Sequence, residues 1–234
     1  MLDNRPAPPS AVKRQLRQEA GFGCCFCGHP FLQYHHIVPW AEDAHFRPED
    51  MMVVCGQCHH LLTVGAIPDE DQRNAKAKPK NIVDGNLSGQ LYVTSKELRV
   101  DLAGGYALET PQLLIIDQQT ILQARVSPEN GRVLLSAIIQ DQSGSNIAQL
   151  LDNEWSMLPG AVWDFECYPK HAAIRNAPGD VAFVVNARED RISMHGKWYF
   201  RGSPIEFTPK LGKWKGHSFT AMNVEHCQIY VGFR

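Results

Sequence analysis

No hydrophobic run in the 234 residues approaches the length that spans a membrane, and Met1–Ser10 is polar and proline-rich, without the apolar core of a signal peptide. The chain is therefore expected in the cytoplasm, away from membranes, behind an extended or disordered leader. An excess of one charge sign is also lacking. Lys and Arg total 23 against 25 Asp and Glu, so the net charge is −2. That balance counts against a protein that coats DNA, though not against an enzyme with a locally basic cleft. Cysteine is scarce and odd in number: there are seven, and four of them sit at metal-ligand spacing. A disulfide scaffold is thereby disfavoured, and a reduced protein holding zinc is expected. Cys25, Cys167 and Cys227 read as ordinary buried thiols. Beyond Asn86, helix-length apolar periodicity is missing as well, apart from a short turn at Ile147–Leu151.

Hydrophobic content, at 44%, suits a globular chain with a real core, and the length exceeds one typical domain. The cysteines are grouped. Cys24 and Cys27 form one C-x-x-C pair, and Cys55 and Cys58 form a second. Each pair makes a tight knuckle aiming two sulfurs at one point, so the set predicts a tetrahedral Cys₄ zinc site. Such a zinc is structural, because a loop-rich segment of this size has little core of its own. The four thiolates fill the metal shell, which leaves His35, His36 and His59 over. Adjacent residues of a strand point to opposite faces, so His35 and His36 cannot share one packing role. His60 follows helically and points away, and His45 reads as a loop histidine.

The ordered set of Cys24-x-x-Cys27, His35-His36-Ile37-x-Pro39, Asp50 and Cys55-x-x-Cys58-His59 resembles the zinc-stapled HNH, or ββα-metal, endonucleases. The resemblance covers about residues 20–63. It implies that the four cysteines hold structural zinc, that His35 and His59 bind a catalytic divalent ion, and that His36 is the general base. It also implies cleavage to 5′-phosphate and 3′-hydroxyl ends. The family's middle Asn falls at Asp50, a departure: Asp accepts the hydrogen bonds that hold the base-orienting loop but cannot donate them. Imidazole, with an ordinary pKa of about 6.5, accepts a proton from water at neutral pH. Two imidazoles favour Mn²⁺, Ni²⁺ or Zn²⁺ over Mg²⁺, with Mg²⁺ or Mn²⁺ expected as the working ion.

Taken in order, Ser10 is expected to cap a helix through about Ala20, with Val12, Leu16 and Ala20 as its apolar face and Lys13, Arg14 and Arg17 solvated. Phe31–Pro39 suits a strand. Pro48-Glu49-Asp50 reads as the start of a helix that presents Cys55, Cys58 and His59. Thr63–Gly85 turns polar and reads as a helix end followed by a linker. From there short β-rich segments recur at Leu91–Thr94, Leu113–Ile116, Ile121–Val126, Arg132–Gln140, Val162–Cys167, Val181–Asn186, Trp198–Arg201 and Ile229–Phe233, separated by turn signals. The expected fold class is α+β: a small ββα-metal domain over residues 1–84, then a larger all-β domain over 85–234, as a sandwich, a barrel or a β-solenoid. Two Gly-Lys-Trp triplets, at 196–198 and 212–214, hint at a weak repeat. Core packing accounts for most of the tryptophans, and Lys210, Lys213 and Lys215 around Trp214 form the most basic local patch.

The functional expectation is a metal-dependent endonuclease acting on DNA, with RNA as another substrate class. Its β-rich domain would supply target choice, sensing or homo-oligomeric assembly, as in a restriction-like or phage-defence effector. The competing expectation is a non-catalytic zinc module that binds nucleic acid or assembles.

Overall fold

A computed structural model describes residues 6–93 and 97–233. Residues 1–5 of the proline-rich leader, and Thr94 at the end of one expected strand, lie outside the described residues. The chain divides into two compact units, Met1–Leu87 and Ser88–Arg234. The fold is α+β, with the helices in the first unit and most of the strands in the second.

Helix α1 (Ser10–Glu19) buries Leu16, and Ala20 at its C-terminal cap, against the core of the first unit, as the apolar spacing requires. Pro9 rather than Ser10 occupies the cap position, and no side chain caps the helix. One expectation fails on this helix. Arg17 is buried, donating through Nη1 to the Tyr34 hydroxyl at 2.6 Å, instead of lying on a solvated face.

Strand β1 (Gln33–His36) pairs antiparallel with β2 (Met51–Val54), placing His35 opposite Met52 and His36 opposite Met51. Helix α2 (Gly56–Thr63) follows directly. The helix expected to begin at Pro48 is therefore absent. Pro48–Asp50 forms one 3₁₀ turn, and the next four residues extend because all four are buried, which a strand covered on both faces achieves.

The polar stretch expected as a linker is also helical: α3 (Asp69–Ala77), then α4 (Lys80–Asp84). Asp69, Glu70 and Asp71 sit in the first turn of α3 and Lys76 in its last, the charge order that complements the helix dipole. Pro68 and Pro79 occupy the two N-terminal cap positions.

In the second unit the pairings close into a barrel. Most are antiparallel hairpins. Among the described residues, parallel pairings join distant segments at Ile192 with Val100, Asn223 with Tyr106, and Ile229 with Gln112. Seven of the expected strands overlap observed ones, but residues 91–93 are not a strand, and Ile147–Leu151, expected as a turn, lies within the strand Asn146–Leu151. The core contains Trp155, Phe183, Trp198 and Phe207, each ring meeting the next edge-on.

The two Gly-Lys-Trp triplets flank one strand, Ser203–Phe207, in matching register. Both glycines stand opposite Phe207, both lysines opposite Glu206, and both tryptophans opposite Ile205. The repeat is thus a local two-sided clasp on one strand. Lys213 pairs with Glu206 at 3.4 Å, and Lys215 lies over the ring of the buried Trp214, so the basic patch is partly neutralised.

Candidate functional site

The knuckle carrying Cys24 and Cys27 turns sharply between α1 and β1. The amide of Gly28 donates to the Cys24 carbonyl at 2.8 Å, and that of Cys24 donates to the His29 carbonyl at 2.9 Å. The second pair brackets the start of α2, where the Cys55 sulfur accepts from the Cys58 amide at 3.5 Å. All four sulfurs lie within 4.8 Å of one another. Cys27 is 3.7 Å from Cys55 and 3.9 Å from Cys58. A tetrahedral zinc with bonds of about 2.3 Å requires sulfur–sulfur edges of about 3.8 Å. The cluster fits a metal ion such as zinc.

Cys25 stands apart from this set. Its amide donates to the Val53 carbonyl at 3.0 Å, and burial pushes its thiol up to about 12, so it stays protonated and inert. Cys167 behaves alike, again pushed up to about 12 by burial. Cys227, expected to be buried, is exposed.

The knuckle is held from outside the motif. Asn81, on α4, is buried, and its amide donates to the carbonyls of Gly21 at 3.1 Å and Gly28 at 3.2 Å. The backbone amide of Lys80 donates to the Cys25 carbonyl at 3.0 Å. A side chain at Gly23 would place its Cβ 2.1 Å from the Asn81 amide nitrogen and 2.4 Å from the Gly28 carbonyl, so the position tolerates only glycine.

Beside the cysteines lies a cleft of about 540 Å³ lined by Tyr34, His35, His36, Trp40 and His59, among others. The rings of His35 and His59 meet edge-on with centroids 5.3 Å apart. His36 turns towards the loop of residues 38–47, with Trp40 at 5.4 Å and His45 at 5.1 Å. Its Nε2 lies 3.0 Å from the His45 backbone carbonyl. A carbonyl only accepts, so Nε2 carries the proton and Nδ1 is the lone-pair nitrogen of the neutral ring.

His45 is buried within this loop. Its Nδ1 accepts from the Arg47 amide at 3.1 Å, and its Nε2 donates to the Val38 carbonyl at 3.2 Å. The histidine closes the loop on itself and fixes the carbonyl that faces His36. The sequence marked His45 only as a loop residue; the missed signal is that the loop has few other groups able to satisfy two backbone partners at once.

Asp50 stands at the base of the same loop. Its backbone carbonyl accepts from the Ile37 amide at 2.8 Å, and its carboxylate accepts from Arg47 at 3.0 Å and Arg73 at 3.3 Å. The hydrogen bond from Arg47, followed by that from Arg73, holds its carboxyl below the usual range. His60 is neither one of the clustered ligands nor one of the residues that line the cleft among the described residues.

Compared with protein-family models, curated proteins and solved structures, the chain matches none. Any function must come from the site itself. Among the described residues, no helix is long and apolar enough to cross a membrane.

Proposed function

We propose that the first unit is a metal-dependent nuclease of the HNH type, hydrolysing phosphodiester bonds in DNA. The carrying observation is that three imidazoles line one cleft: His35 and His59 edge to edge, and His36 with Nδ1 as its basic nitrogen.

His35 and His59 suit a shared divalent ion. With metal–nitrogen bonds of about 2.1 Å, two imidazoles on one ion have centroids about 4.5 to 5.3 Å apart, and the observed value is 5.3 Å. When bound, such an ion supplies Lewis-acid charge to the phosphoryl oxygens and the leaving 3′ oxygen. Mn²⁺ suits the two nitrogens better than Mg²⁺.

His36 acts as the base. Nδ1 takes a proton from the attacking water, and the resulting imidazolium is stabilised at Nε2–H by the His45 carbonyl. Tyr34, on the cleft wall, accepts a hydrogen bond from the buried Arg17 and lies under the Lys13 ammonium at 5.7 Å, which sets one cation near the cleft for a polyanionic substrate. The β-barrel unit is assigned to target recognition or assembly.

The test is plasmid nicking by the zinc-replete full chain in Mg²⁺, Mn²⁺ or EDTA, beside His36→Ala. Metal-dependent nicking lost in the variant, with folding and zinc content unchanged, supports the reading. Absence of cleavage by the wild type in every metal points instead to a non-catalytic zinc module.

A further inference from the structure

Gln72 lies on α3, outside the motif that carries the family resemblance, and is buried at 5% exposure. Its side-chain amide has two ends with different chemistry, and its neighbours fix which end points where. The Nε2 group donates to the Ile67 carbonyl at 3.3 Å and to the Asp69 carboxylate at 3.2 Å. Both partners only accept. Turning the amide over would set its oxygen against two oxygens, so the orientation is determined. Oε1 therefore faces His35 Nε2, 3.1 Å away.

An amide oxygen only accepts, so His35 Nε2 must donate. The neutral ring then carries its proton on Nε2 and its lone pair on Nδ1. We infer that Gln72 is a positioning residue that sets the tautomer and angle of His35, so that Nδ1 is the atom offered to a divalent cation. This inference rests on the proposed reading of His35 and His59 as ligands, and it adds the ligating atom and the residue that chooses it. It also gives α3 a role: the helix anchors the far side of a ligand, just as carboxylates and carbonyls behind metal-binding histidines do in general. Chain connectivity explains why Gln72 can serve. Asp69 begins α3 and Ile67 lies just before its Pro68 cap, so both acceptors are near Gln72 in the chain and hold the amide without help from the cleft.

The experiment uses the full chain with its cysteine-bound metal retained and its histidines labelled with ¹⁵N. Long-range ¹H–¹⁵N spectra recorded without added divalent ion read the tautomer of His35 directly, with His35→Ala supplying the assignment. The expected wild-type result is a His35 ring protonated at Nε2. Gln72→Met, which keeps length and apolar volume but removes the acceptor, is expected to give a mixture of both tautomers. It is also expected to weaken Mn²⁺ binding, measured by titration calorimetry, by about tenfold or more. A wild-type ring protonated at Nδ1, or a Gln72→Met spectrum identical to wild type, overturns the assignment. If Gln72→Met does not fold, the wild-type spectrum alone still decides the tautomer. Failure of the ligand reading shows differently: wild-type protein would then bind no Mn²⁺ that His35→Ala removes, whatever the spectrum says of Gln72.

Discussion

The Nε2 of His36 lies 3.0 Å from the backbone carbonyl of His45, while the side chain of His45 bonds the backbone at Val38 and Arg47. One histidine thus holds the loop that orients another. Replacing His45 with Ala removes both of its buried hydrogen bonds, at a cost of about 1–3 kcal/mol, and frees the carbonyl to drift. Nicking is expected to slow by about tenfold or more with Mn²⁺ affinity unchanged. Rates measured at saturating metal, beside a calorimetric titration, check this. A parallel loss of affinity would place His45 on the ligand side instead.

Cysteine substitution should separate the two units. Binding free energies for structural zinc run to about 10 kcal/mol or more, comparable to the whole stability of a small domain. If the four cysteines hold zinc, Cys55→Ser is accordingly expected to lose it and to unfold the first unit while the barrel stays folded. Elemental analysis reads the metal, and amide exchange resolved by segment reads the folding. Retention of one zinc per chain by this variant would count against the four-cysteine site.

Gly196 and Gly212 both face Phe207, yet they should respond unequally to substitution. A Cβ at Gly196 would meet the Ala182 carbonyl oxygen at 2.2 Å, and the residue has φ +154°, so neither obstacle can relax cheaply. A Cβ at Gly212 would first meet the Phe219 ring, also at 2.2 Å, and a side chain can turn aside. Gly196→Ala is expected to cost about 2 kcal/mol or more, and Gly212→Ala clearly less. Urea unfolding followed by tryptophan fluorescence ranks them, and a reversed order would refute the argument.

Burial, and then the charge of His171, hold His195 below the ordinary histidine value of 6.5. The unfolded chain therefore takes up the proton first. The stability associated with a neutral His195 is present above about pH 6.5 and is lost as pH falls through the folded value. Wild type is expected to lose more barrel stability between about pH 7.5 and pH 5.5 than His195→Gln does. Equal losses in matched urea titrations would show that this residue does not contribute.

The four cysteines were legible because spacing alone brings thiolates together, and the structure gathers them within 4.8 Å. The element between them was not. Met51-Met52-Val53-Val54 is buried on both faces, so it carries no alternation, and the Pro48-Glu49-Asp50 signature that announces a helix there completes only one turn. Helix α3 was hidden because it buries little besides Gln72, and a helix that polar reads as linker. In the barrel, Val133–Gln140 is legible as a strand because it is an eight-residue, mostly apolar run after a turn, although its sequence does not alternate as its burial does. Three-residue strands such as His217–Phe219 are too short to show a signal. Parallel pairings between distant segments leave no local trace, which is why sandwich, barrel and solenoid could not be separated.

Asn81 gives the cysteine motif an address elsewhere in the chain. Its one amide satisfies two carbonyls that flank the first knuckle, and Gly23 leaves room for it. The motif is consequently not a portable cassette. A graft of residues 23–62 onto another scaffold would carry every sulfur and imidazole but leave behind the donor that closes the knuckle. The shortest stretch worth transplanting runs through Asn81.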